Sequence, residues 1–156
     1  MKRKILKPIL IILLIGLFII QFFPTEKNTG VRYGANDYTN AIEVPADVKN
    51  LIENACMDCH SNHTNNVWYQ NIQPIGWWMN NHVNEGKEEL NFSEFNTYKI
   101  KRKAHKLEEI AEQIEKGEMP PGYYTIMHSS AKLNENQMKT LINWAENEMK
   151  KLKASE

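Results

Sequence analysis

Cysteine is scarce in this chain: Cys56 and Cys59 are the only two among 156 residues. A structural zinc site usually takes four nitrogen or sulfur ligands, so two thiols alone do not make one and histidines would have to complete it. Net charge is also missing. The 19 basic and 19 acidic residues cancel, and no basic excess points to nucleic acid as a partner. Convincing strand patterns, internal repeats and low-complexity tracts are absent as well. Helical periodicity is what remains, so the fold class expected is all-α.

The amino terminus, "MKRKILKPILIILLIGLFIIQFFP", lacks acids and lacks a polar face. As a helix, Ile5 to Phe23 would cover roughly 28 Å at 1.5 Å per residue, close to the hydrocarbon thickness of a bilayer. "QFFPTEK" behind it has neither an A-x-A cleavage pattern nor a lipobox cysteine. Residues 1–23 therefore read as an uncleaved single-pass anchor, a transmembrane helix, in preference to a cleaved signal. Lys2, Arg3, Lys4 and Lys7 should stay cytoplasmic, which sends Pro24 onward across the membrane. Four of the 19 basic residues and none of the 19 acids precede Pro24, leaving 15 against 19 and about −4 for the remainder.

Residues 24–43 are polar, hold two glycines and show no sustained period. They are expected to form a tether, with one domain over residues 44–156. Val44, Val48, Leu51, Ile52 and Ala55 fall at helical spacing. A second helix is expected within "PIGWWMNNHVNEGKEEL", and Ile100, Ala104, Leu107, Ala111 and Ile114 define a third that stops at Gly117. Asn134 and Gln137 outline a capping box for the last, with Leu133 stapling onto Met138. The two prolines and Gly122 of "GEMPPGYYTIMHSSAKL" exclude regular helix there. About four helices with long loops result.

"CMDCHSNHT" closes the first of those helices. Three chemistries use such a cluster. A thioredoxin-like dithiol begins a helix after a strand, inside a βαβ pattern that is not present. Zinc could draw on Cys56, Cys59, His60 and one of His63, His82, His105 or His128, but adjacent Cys59 and His60 point in different directions. A plain disulfide also suits an oxidising compartment. Covalent haem uses every defining residue of CxxCH: two thiols for two vinyl groups, then His60 beneath the iron. Attachment after export agrees with the anchor.

Several blocks, "ACMDCHSNHT", "PIGWW", "HVNEGKEELNFSEF", "GEMPPGYY" and "MHSSAKLNENQ…LINWA", resemble the small haem-binding domain of bacterial c-type cytochromes found behind membrane anchors. The resemblance covers nearly all of residues 44–149. It implies one covalently bound haem c in a cytochrome c-like all-helical fold, outside the cytoplasmic membrane of a bacterium. It brings no well-defined physiological role.

For the second axial position the candidates are Met79, Met119, Met127, His82, His105 and His128. Met119 leads, because it follows the helix stop and precedes Pro120 and Pro121, which stiffen the loop. Cytochromes c in general share that Met-Pro arrangement. His128, on the same loop, is the alternative. Two protein ligands would leave no open position, which favours single-electron carriage over catalysis. A weak or open sixth position would instead make a binding or sensing module. Lys99, Lys101, Arg102, Lys103 and Lys106 stand at the start of their helix, against its dipole, at about 0.3–1 kcal/mol for each badly placed charge. Such a patch suits docking of an acidic redox partner protein or anionic lipid.

Overall fold

The computed structural model describes residues 2–155, with side chains from residue 6 onward. Six α-helices form: α1 (Lys2–Ile20), α2 (Ala46–Ala55), α3 (Ile75–Glu89), α4 (Ile100–Glu115), α5 (Gly122–Met127) and α6 (Glu135–Ala154). Among the described residues there is no strand, only an isolated bridge between Thr29 and His63. The all-α expectation holds.

α4 and α6 make the main packing. Glu108 of α4 lies 3.6 Å from Lys153 near the end of α6, so the two run antiparallel. Leu107, Ala111 and Ile114 supply the buried stripe of α4, and Leu141, Trp144 and Ala145 that of α6. α2 crosses α6 through Val48 and Ile52. Tyr38, Met57, Phe92 and Phe95 close the same core. The predicted boundaries have their predicted causes. Gly117 takes φ 70°, which few other residues tolerate, and stops α4. The Asn134 amide donates to Gln137 Oε1 and the Gln137 amide donates to Asn134 Oδ1, each at 2.9 Å, at the start of α6.

One expectation needs correction. The proline-bearing stretch is not free of helix, because α5 forms immediately behind Pro121. A proline ring bars helix in the turn before it and is well suited to a helix start. Residues 24–43, expected as a tether, are bonded to the domain along part of their length. Asn28 Nδ2 donates to the Ser61 carbonyl at 2.9 Å, Arg32 pairs with Asp58 at 3.2 Å, and the Tyr33 hydroxyl donates to Glu53 at 2.6 Å. The polar residues that suggested a solvated linker are bonded to the domain instead. Finally, no helix among the described residues is long and apolar enough to cross a membrane. The sequence of α1 opens with Lys2, Arg3, Lys4 and Lys7 and the helix ends at Ile20, so its uninterrupted apolar run, Ile9 to Ile20, covers only about 18 Å. The side chains of Lys2, Arg3 and Lys4, on which the cytoplasmic placement rests, lie outside the described residues.

Candidate functional site

α2 ends at Ala55, but its helical bonding continues for one more turn. Cys59 N and His60 N both donate to the Cys56 carbonyl, at 3.2 and 2.9 Å. Residues three and four apart on a helical turn are neighbours, so Cys59 and His60 each stand beside Cys56, on its two sides. Met57 and Ser61 turn the other way and are fully buried in the core. The turn is thus fixed from behind and presents its sulfurs and imidazole outward.

Both thiols are free. Burial pushes Cys56 up to about 12, and burial followed by the neighbouring Asp58 charge pushes Cys59 up to about 11. Thiols that hold their protons so firmly are weak nucleophiles as they stand. Among the described residues, no three His, Cys, Asp or Glu side chains gather closely enough to hold a metal ion by themselves.

The His60 ring is set by α3. Its Nδ1 lies 2.8 Å from the Gly86 carbonyl oxygen and 3.1 Å from that of Leu90. A carbonyl only accepts, so Nδ1 carries the hydrogen and Nε2 keeps its lone pair. Burial holds the imidazole below its ordinary pKa, despite the two carbonyls. The ring is therefore neutral with one nitrogen available, which is the state a metal ligand requires. Gly86 makes the approach possible: a Cβ there would lie 2.9 Å from the Cys59 carbonyl oxygen.

A cavity of about 330 Å³ opens on the Cys56 and His60 side of the turn, walled by Leu90, Phe92, Ile110 and Ile114. Met119 lines it too. After Gly117, the amides of Glu118 and Met119 both return to the Gln113 carbonyl, at 3.0 and 3.2 Å, and so turn Met119 back over the cavity. A second cavity, about 300 Å³, opens on the Cys59 side and is lined by Met79, His82, Tyr123, Met127 and His128. Each falls within the range of cofactor clefts, and the cysteine turn lies between them. Cys56, His60 and Met119 thus share one cavity, and His128 lies across the turn.

The other histidines are engaged elsewhere. His128 Nε2 bonds the Tyr69 hydroxyl, and its ring stacks on Tyr124 at 4.2 Å between centroids. His82 Nδ1 bonds the Trp78 carbonyl of its own helix at 2.9 Å. His105 forms an exposed pair with Glu109 at 3.2 Å. His63 contributes its backbone carbonyl to Arg32 at 2.9 Å.

Sequence reasoning missed the site contacts of three groups, among them Lys106, which the sequence places only in a basic patch. Asp58, inside the motif, accepts from Arg32, from the Asn65 amide at 3.1 Å and from the Tyr124 hydroxyl at 2.8 Å. It ties α5 to the cysteine turn, and burial together with that carboxylate raises the Tyr124 pKa. Lys106 is buried in the wall of the first cavity and reaches Glu109 at 2.6 Å and Glu89 at 3.3 Å. Gly86 is the third. Its spacing from the motif carries no local signal, because the contact is made across the fold.

One family, described as a haem-binding domain, matches residues 15–147. No curated protein matches the chain. No solved structure matches it.

Proposed function

Because this chain belongs to the haem-binding domain family, we propose that it is a monohaem c-type cytochrome. It carries single electrons on the outer side of a bacterial cytoplasmic membrane, held there by its apolar N-terminal segment. The observation that carries this reading is the single helical turn that sets Cys59 and His60 beside Cys56, with His60 Nε2 left free by the bond from Nδ1 to Gly86. The donor set fits haem c: two unbonded thiols at CxxCH spacing, a neutral imidazole and a thioether in the same apolar cavity. Haem bound there would supply one-electron iron chemistry.

The chain's own part is to attach, orient and shield. Cys56 and Cys59 hold the porphyrin edge. Gly86 and Leu90 fix the rotation of the His60 ring. Met119 is the second ligand in preference to His128, whose Nε2 is committed to Tyr69. Leu90, Phe92, Ile110 and Ile114 keep water from the iron. A redox partner protein of acidic surface would dock where the start of α4 meets the end of α6. There Lys99, Lys101, Arg102, His105 and Lys153 surround a single acid, Glu108.

Spectroscopy of protein matured in an exporting host tests the reading. The expected result is haem that resists acid–acetone extraction, is released from binding by Cys56→Ser/Cys59→Ser, and gives a six-coordinate low-spin iron with a sulfur-to-iron charge-transfer band. A high-spin ferrous form that binds carbon monoxide readily would overturn it.

A further inference from the structure

One face of the molecule carries no ionic side chain along two separate stretches. From Ser61 to Asn84, and again from Met119 to Ala131, there is no Asp, Glu, Lys or Arg. These stretches meet in space, since Trp78 at the start of α3 packs edge-on to Tyr123 of α5 at 4.8 Å. Yet the face is not covered. Trp68 is 72% exposed, Ile126 80%, and Ile72 and Trp77 are exposed beside them. Ile72, Trp77 and Ile126 line neither cavity, so a group bound in the cavities would leave them bare. Soluble surfaces seldom expose such a patch without a partner.

The end of α1 is fastened to this same face. Gln21 Nε2 donates to the Gln73 carbonyl at 3.0 Å, and the Gln73 amide donates back to Gln21 Oε1 at 2.9 Å. Trp77 Nε1 donates to the Phe23 carbonyl at 2.8 Å. From Leu6 to Ile19 the apolar side chains around α1 are exposed on every side, and Ile20 is half-buried. The charge-free face is therefore continuous with a helix that offers water nothing. Tryptophan and tyrosine concentrate where one end of a side chain meets lipid and the other meets water.

We propose that this face, formed by the start of α3 and by α5, rests on the surface of the lipid bilayer that receives α1. The domain then sits at a fixed orientation, with the cavity beside Cys59 opening toward lipid. This rests on the membrane-held reading above.

The test uses the full chain with haem in phosphatidylcholine nanodiscs. A photoreactive p-benzoyl-phenylalanine replaces one residue at a time: Leu13 in α1, Trp68 and Ile126 on the face, and exposed Lys101 in the basic cluster at the start of α4. Lipid adducts are counted by mass spectrometry. Positions 13, 68 and 126 are expected to capture lipid at least tenfold more than position 101. Gln73→Ala, which removes only the side-chain bond to the Trp77 amide, should leave capture at 126 intact, whereas Gln21→Ala should reduce it severalfold and leave 13 unchanged. Capture at 13 without capture at 68 and 126 would overturn the proposal and leave membrane attachment standing. No capture even at 13 would overturn the attachment itself. Adducts from 68 or 126 to a second copy of the chain would overturn it in favour of self-association.

Discussion

His60 and Gly86 are joined by a 2.8 Å contact between an imidazole Nδ1 and a backbone carbonyl, and the absence of a side chain at Gly86 is what permits it. Adding one methyl should test that dependence. In Gly86→Ala the new Cβ would meet the Cys59 carbonyl at 2.9 Å, so α3 or the cysteine turn must move. Overpacking of this kind costs about 1–3 kcal/mol. Urea unfolding should show that loss, and the ferrous spectrum should gain a high-spin fraction as the His60 ring loses its orientation. An unchanged spectrum would mean that the carbonyl does not set the ring.

Met119 and His128 make opposite predictions. Met119→Ala should convert a low-spin iron to a high-spin one that takes carbon monoxide, and should lower the reduction potential, since thioether sulfur favours the ferrous state. His128→Phe should leave spin state and potential as they were while loosening α5, because the imidazole it removes bonds Tyr69. The reverse pattern would assign the sixth position to His128.

The helical parts of this structure were legible because they are local. Val48 and Ile52, or Leu107, Ala111 and Ile114, announce their buried stripe by spacing alone, and the caps at Gly117 and Asn134 are residue-specific. CxxCH was legible for the same reason: one helical turn sets Cys59 and His60 beside Cys56. What stayed hidden depends on distant pairings. Nothing near Asn28 or Arg32 says that they bond Ser61 and Asp58, so their polarity read as a solvated linker. Gly86 and Lys106 act only after α3 and α4 have come to lie beside the cysteine turn. α5 is hidden because Pro120, Pro121 and Gly122 together signal a break, whereas proline rings forbid helix only ahead of them.

The bond from Tyr124 to Asp58 should be energetically coupled to the Arg32 pair. Asp58 receives three donors, and hydrogen bonds to a charged group typically contribute about 1.5–3 kcal/mol. Tyr124→Phe is expected to cost about 1–2 kcal/mol in urea unfolding. In a double-mutant cycle with Asp58→Asn, the two losses should fall short of additivity by at least about 0.5 kcal/mol. Strict additivity would show that α5 is held by packing alone.

Tyr38 is fully buried, and its hydroxyl has no hydrogen-bond partner. A buried polar group left unpaired costs about 1–3 kcal/mol. The ring itself packs on Phe92 at 5.0 Å, a contact that phenylalanine would keep. Tyr38→Phe should therefore raise stability at neutral pH by about 1 kcal/mol. A loss of similar size would reveal a partner for the hydroxyl.

The same residue predicts an alkaline limb of stability. Burial raises the Tyr38 pKa well above the ordinary phenol value, as it does for Tyr124 with help from the Asp58 charge. The unfolded chain loses these protons near pH 10, whereas the folded chain keeps them, so above pH 10 the unfolded state binds fewer protons. Stability must then fall as pH rises, by up to about 1.4 kcal/mol per pH unit for each such group. Lys106 acts in the same direction: its raised pKa retains a proton that the unfolded chain gives up above about 10.5. Unfolding in urea at pH 9 and pH 11 should show a steep loss, and Tyr38→Phe should reduce that loss by about 1 kcal/mol. An equal loss in both proteins would place the alkaline sensitivity elsewhere than in Tyr38.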